Sequence, residues 1–234
     1  MLISFDSVLN TRQRELVVHV HAQAPAATIH VRYGEEWTEP AGDGVTFPRR
    51  NTHRPRDQHL AQLWQQVPRR KQGFLVAIRK AALSDDARLV VTLGHELEHV
   101  RQELAVPGIL VMAGLALSFV EQTALLPAEL PGHLHFPVNS HAEVAGARSA
   151  AELLGTERVR QYYMSERPDV LALVEGRNHE PPNAAADLAA FLARHWTAFE
   201  HWYSKTIRQA VPALNEVRAF VAARSSGPDT QVKG

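Results

Sequence analysis

The sequence predicts an α+β protein with an N-terminal, mainly antiparallel sheet and a helical C-terminal half. Two segments, 16–21 and 28–33, alternate apolar and polar residues with the period of half-buried strands. Farther along, apolar residues recur at helical spacing, most clearly over 184–209. These two periods place the strands early in the chain and the helices late.

The two alternating segments suit a hairpin, because the short stretch 23–26 between them contains a proline. Its predicted buried face consists of Val18, Val20, Ile29, Val31 and Tyr33. The opposite face would carry His19, His21, His30 and Arg32. We expect these side chains to face solvent rather than to bind a metal ion. Segment 34–56 is rich in glycine and proline and predicts a long loop.

The later elements complete one expected domain over 1–223, strand-rich over 1–83 and helical over 84–223, with a disordered tail over 224–234. Segment 74–78 is a strong strand candidate. Predicted helices cover 57–67, 84–104, 141–154, 184–209 and 214–223, and a loop covers 126–137.

Composition excludes several classes of protein. Apolar residues make up 45% and charged residues 21% of the 234 residues, and the formal net charge is zero. No overall field therefore favours nucleic acid or a membrane as a partner. The chain has no cysteine, so only His, Asp and Glu remain as strong zinc ligands. The start lacks a basic segment followed by an apolar one, and we expect a cytoplasmic protein without a signal peptide.

One apolar stretch tests the prediction that no membrane is involved. Leu104 to Val120 contains no charged residue but is at the lower limit of length for a membrane span. Pro107, Gly108 and Gly114 interrupt it. A buried helix in a globular core explains this stretch better.

The helix predicted over 84–104 carries the residues with the clearest chemistry. Ser84, followed by two aspartates, is a typical helix start, because a hydroxyl caps the first turn and the dipole favours negative charge there. The helix then reads His95-Glu96-Leu97-Glu98-His99. Residues four apart lie on one face, so His95 and His99 can bind the same ion.

Glu96 lies beside the first histidine, where it can take a proton from a metal-bound water. Zinc lowers the pKa of such a water, and the carboxylate acts as general base while the water attacks a carbonyl carbon. The pattern therefore predicts a Zn²⁺ site with His95 and His99 as ligands and Glu96 as the catalytic base.

Strand 74–78 followed by this helix resembles the core of the zincin metallopeptidases. That resemblance implies a zincin-like fold, hydrolysis of a peptide or protein substrate, and a strand at the sheet edge that pairs with extended substrate. It covers about residues 74–155. The third histidine of the metzincin branch is missing, whereas the gluzincin branch places a glutamate on a later helix, a role that Glu143 matches best.

Glu143 is followed by Val144-Ala145-Gly146, which is faintly similar to the Glu-x-x-Ala pattern of ImmA-type peptidases. In those proteins a small residue lets the helix pack tightly on the motif helix. Other third ligands remain open. They are His141, His133, His135, Glu121 and Glu129.

Hydrolysis of this kind also needs a group that stabilises the oxyanion. Tyr162, Tyr163 and His179 are the downstream candidates, and the sequence does not choose among them.

Two alternatives to a metallopeptidase stay open. The first is a zinc enzyme acting on a small amide or a biosynthetic intermediate. The second is a regulatory or nucleic-acid-binding protein that uses segment 47–80, which contains nine basic residues and one acidic residue, Asp57. A solvated surface is the simpler explanation of that segment. Binding of single-stranded nucleic acid relies on several stacked aromatic side chains, and Trp64 is the only one between Phe47 and Phe74.

Overall fold

A computed structural model describes residues 2–3, 8–38, 40, 42–49, 54–68, 73–123, 136–177, 183–207 and 213–225. The strands are β1 (Leu2–Ile3), β2 (Thr28–Glu35), β3 (Gly44–Pro48) and β4 (Gly73–Arg79). The helices are α1 (Thr11–Ala22), α2 (Gln58–Gln66), α3 (Asp86–Ala105), α4 (Ile109–Thr123), α5 (Pro137–Leu154), α6 (Thr156–Glu166), α7 (Pro168–Arg177), α8 (Ala184–Arg194), α9 (Trp196–Thr206) and α10 (Leu214–Ser225). A short 3₁₀ helix, Lys80–Ser84, joins β4 to α3. The α+β class is confirmed.

The chain forms two compact units that do not divide at residue 84. The first contains Met1–Leu104 and Ala142–Glu180, and the second contains Ala105–His141 and Pro181–Gly234. The expectation of one domain over 1–223 stays a prediction. The predicted tail lies outside the described residues from 226 onward.

The sheet in the first unit has the strand order β1-β2-β4-β3. β1 and β4 both run parallel to β2, and only β3 is antiparallel to its neighbour. The prediction of a mainly antiparallel sheet was therefore wrong, because α1 and α2 lie in the connections between parallel strands. The expected edge position of 74–78 was also wrong, since β4 lies between β2 and β3 and is buried along six of its seven residues.

Segment 16–21 is helical rather than extended. Asn10 caps α1 in a reciprocal pair with Gln13, and this cap fixes the helical period from the first turn. Val17 and Val20 are buried at helical spacing, whereas Val18 is half exposed. The face predicted for β2 is confirmed, because Ile29, Val31 and Tyr33 are all buried.

Several other boundaries follow from local capping. Asp57 caps α2 by accepting from the Leu60 amide. Asp85 rather than Ser84 caps α3, accepting from the amides of Ala87 and Arg88. The predicted loop 34–56 contains β3, and the predicted loop 126–137 falls on undescribed residues up to 135 and on the start of α5.

The second unit is helical around a core in which rings pack edge to face, as Phe119 does with Phe199 at 5.5 Å between centroids. Instead of the single helix predicted over 184–209, the structure has two helices, α8 and α9, which are separated by His195. Within the described ranges, no single helix is both long and apolar enough to cross a membrane, although α3 and α4 would pass such a test as a bent pair.

Candidate metal centre

Helix α3 presents the predicted motif within the first unit. Its apolar residues Leu89, Leu93 and Leu97 are completely buried, as predicted from their spacing. The opposite face is buried as well, with Glu96 5% and His99 8% exposed. Buried polar groups need hydrogen-bond partners, so this face must meet other polar side chains.

A very close contact between two helices brings Glu143 to this face. A Cβ atom on Gly146 of α5 would lie 2.3 Å from the Val91 carbonyl oxygen, and one on Gly94 of α3 would lie 2.9 Å from the Gly146 Cα. Only glycine permits such an approach of one backbone to another. The prediction that a small residue lets α5 pack tightly on the motif helix is therefore confirmed for Gly146.

Glu143 lies one turn before this contact and is 1% exposed. Its Oε2 lies 2.8 Å from His95 Nδ1. Its Oε1 accepts from the Tyr163 hydroxyl at 2.7 Å and pairs with the Arg167 guanidinium at 2.9 Å. One buried carboxylate therefore connects α3 with the residues at the end of α6.

The two histidines of the motif touch each other. Their ring centroids are 4.7 Å apart and the ring planes are inclined by 82°. His99 Nδ1 lies 2.9 Å from the side-chain oxygen of Gln102, one turn farther along α3. His95, His99 and Glu143 thus form one contiguous group.

Glu96 meets β3, the strand at the sheet edge. The Thr46 hydroxyl lies 2.7 Å from Glu96 Oε2 and 3.0 Å from the Glu96 carbonyl oxygen. Gly44 leaves room for the glutamate, because a Cβ atom there would lie 2.6 Å from Glu96 Cγ. Among the described residues, Glu96 Oε1 has no hydrogen-bond partner and is left to accept a proton.

Burial and neighbouring charges set the protonation of the group. Burial alone would lower the pKa of His95, but the hydrogen bond and charge of Glu143 raise it. Burial and the charge of His95 lower the pKa of His99 to about 3. Burial opposes ionisation of Glu143, yet His95, Arg167 and Tyr163 together lower its pKa to about 2. Burial raises the pKa of Glu96.

Of the predicted oxyanion-stabilising residues, Tyr163 is fully buried and donates to Glu143. Tyr162 lies near Arg167 and lines a polar pocket of about 140 Å³ that includes Arg88 and Arg158. Each of these arginines already pairs with an aspartate. His179 lies outside the described residues.

Two of the rival third ligands, His141 and Glu121, lie in the second unit. His141 lies in the second unit, where its Nε2 is 2.7 Å from the Asp187 carboxylate. Glu121 is exposed on α4 of the same unit. Glu129, His133 and His135 lie outside the described residues.

The donor set fits zinc chemically, because two imidazoles and one ionised carboxylate are a known ligand set of catalytic zinc. As arranged here, the described ranges contain no group of three His, Asp or Glu side chains already placed to hold a metal ion. The reason is visible at Glu143, whose Oε2 faces a ring nitrogen of His95 and whose Oε1 is held by two other donors. Metal binding at this group would have to replace a hydrogen bond.

The basic segment 47–80 is partly structural. Arg49 is buried, stacks 3.7 Å above the centre of the Trp64 ring and donates to the Val67 carbonyl. Arg79 stacks on Trp37 and donates to its carbonyl oxygen. Four other basic residues lie outside the described residues, namely Arg50, Arg69, Arg70 and Lys71.

The chain matches no protein-family model, no curated protein and no solved structure.

Sequence reasoning missed three residues of the group. Thr46 was assigned to a loop, and only the strand pairing of β3 brings it to Glu96. Arg167 lies four residues after Tyr163, a helical spacing that would have indicated a shared face. Gln102 has the corresponding spacing of three from His99.

Proposed function

We propose that the chain is a zinc-dependent hydrolase of the metallopeptidase type, with a zincin-like active site, acting in the cytoplasm on a peptide or other amide bond. The observation that carries the proposal is the contiguous, largely buried group of His95, His99 and Glu143 with Glu96 beside it. Zinc would be held by His95, His99 and Glu143.

A bound zinc ion would supply a water of lowered pKa and polarise the substrate carbonyl. Glu96 would take the proton of the attacking water on Oε1, while Thr46 holds Oε2. Burial raises the pKa of Glu96, which brings this base closer to neutral pH, where general bases work best. Tyr163 and Arg167 would keep Glu143 ionised.

The edge strand β3 supports a peptide as substrate. β3 is the last strand of the sheet, and among the described residues its outer edge has no strand paired with it, so an extended peptide could add there. Gly44 and Thr46 of the same strand contact Glu96. A peptide added along β3 would therefore run past the catalytic base.

The first experiment is metal analysis of the purified wild type beside His95→Ala and Glu143→Ala. We expect one equivalent of zinc in the wild type and a large loss in both variants. A wild type without zinc, or variants that both keep a full equivalent, would contradict the proposal.

The second experiment separates base from ligand. Glu96→Gln keeps the shape of the side chain, so it should retain zinc and lose turnover of a peptide-library substrate by about 10²–10⁴-fold. Glu98→Gln is the matched control on the same helix, because Glu98 pairs with Arg101 instead. Equal turnover in wild type and Glu96→Gln would remove Glu96 from the role of base.

A small amide is the second candidate substrate, favoured by the burial of the motif side chains. His95 is 12% exposed at its side chain, and Glu96 is 5% exposed overall. Hydrolysis of short acyl-amino acids without cleavage of any peptide longer than a few residues would favour this candidate.

A further inference from the structure

His99 and Gln102 form a hydrogen-bonded pair within α3. Both residues are buried, 8% and 7% exposed, and His99 Nδ1 lies 2.9 Å from Gln102 Oε1. An amide oxygen only accepts hydrogen bonds, so Nδ1 of His99 carries the ring proton. The second ring nitrogen, Nε2, then keeps its lone pair.

A buried amide is costly at this position unless it is bonded. An unpaired buried amide costs about 1–3 kcal/mol, whereas a leucine in a buried helical position costs nothing of this kind. The neighbouring turns of α3 place Leu93, Leu97 and Val100 in buried positions. Gln102 therefore contributes something that an apolar residue would not, and its hydrogen bond with the His99 imidazole is one such contribution.

Metal-binding histidines usually donate their other ring N–H to an oxygen acceptor, which fixes the tautomer and the ring orientation. We infer that Gln102 is a positioning residue that holds His99 with its Nε2 lone pair available to a divalent metal ion. The inference rests on the proposed zinc site. It adds a member to that site which is supplied by the motif helix itself, three residues after the second histidine.

The inference predicts a graded effect on zinc affinity. Gln102→Leu removes the acceptor and should weaken zinc binding by about 10–100-fold, measured by competition with a chelator of known affinity. Gln102→Glu keeps an oxygen acceptor and adds a negative charge, so it should bind zinc at least as tightly as the wild type. Gln65→Leu is the control, since it makes the same change at an exposed position of α2.

A second measurement needs no metal. Long-range ¹H–¹⁵N correlation spectra of the metal-free protein distinguish the two tautomers of a neutral imidazole. We expect the Nδ1–H form at His99 in the wild type and in Gln102→Glu, and a shift toward the Nε2–H form in Gln102→Leu.

The outcomes separate the two proposals. A wild type that binds no zinc overturns the proposed function and this inference with it. Zinc binding that is equally tight in wild type and Gln102→Leu, or an Nε2–H tautomer at His99 in the wild type, overturns the inference alone. Loss of folding in Gln102→Leu would show in its circular dichroism, and the wild-type tautomer and the Gln102→Glu affinity then decide.

Discussion

The Glu143 carboxylate is hydrogen-bonded to His95 and Tyr163 and forms an ion pair with Arg167. These contacts overcome the cost of burying a charge, so the pKa of Glu143 falls to about 2 and the carboxylate is ionised at neutral pH. Of the three partners, Arg167 is the one that stays charged at every pH of interest, so its removal should leave Glu143 without a permanent countercharge.

Arg167→Met should lower the free energy of unfolding by about 3 kcal/mol, because it removes the permanently charged partner of a buried carboxylate. Urea unfolding at pH 7 measures the effect. Arg158→Met is the matched control, since its pair with Asp85 is solvent-exposed and should cost less than about 1 kcal/mol. Equal losses in the two variants would show that Arg167 is not needed to hold Glu143.

At the scale of elements, the crossing of α3 and α5 decides the geometry of the site. Gly94 and Gly146 let the two backbones touch, and this contact places Glu143 beside His95. The sequence predicted both helices and the need for a small residue in α5. It did not predict α1, because segment 16–21 satisfies a strand pattern and a helix pattern equally until the Asn10 cap is considered.

Gly146→Ala should force α3 and α5 apart, since its new methyl group would lie 2.3 Å from a backbone oxygen that has no rotamer to adopt. We expect a loss of about 1–3 kcal/mol in stability, together with weaker zinc binding.

The control for this crossing is Gly114→Ala. A Cβ atom at that position in the interior of α4 meets nothing within 4 Å, so this variant should gain about 0.5–1 kcal/mol from helix propensity. Differential scanning calorimetry and chelator competition on both variants check the pair. A Gly146→Ala protein as stable as the wild type would mean that the crossing tolerates a wider spacing.

At the scale of the whole molecule, the sequence predicted the α+β class, while the sheet's parallel order had to come from the structure. Strand direction depends on what fills the connections, and the sequence predicted neither the helix α1 nor the strand β3. Likewise His95, Glu96 and His99 follow from spacing along one helix, whereas Thr46 reaches Glu96 across 50 residues and only through strand pairing.

The stability of the first unit should fall in acid because of His21. This side chain is 3% exposed, bonds to the Tyr33 hydroxyl through Nε2, and has no partner for Nδ1 among the described residues. Burial lowers its pKa from 6.5 to about 4. The unfolded chain therefore binds more protons between those two values, and stability falls as the pH drops from about 6.5 to 4, by roughly 3 kcal/mol in total.

Amide hydrogen exchange in β2 and β4 at pH 7, 6, 5 and 4, expressed as free energy of opening, measures this dependence. The His21→Gln variant keeps a side chain able to bond Tyr33 but cannot titrate, so its curve should be flatter over the same range. Parallel curves for the two proteins would assign the acid sensitivity to other groups.

The glycine contact between α3 and α5 also bears on how any ligand would be received. Side chains can change rotamer when an ion arrives, but two backbones in direct contact have almost no freedom left to lose. The backbone positions of His95 and Glu143 are therefore fixed before binding, so that only side chains have to rearrange when an ion binds. Metal uptake should then be rapid and nearly free of backbone rearrangement, and backbone amide chemical shifts of α3 and α5 should change little beyond the residues that bind the ion.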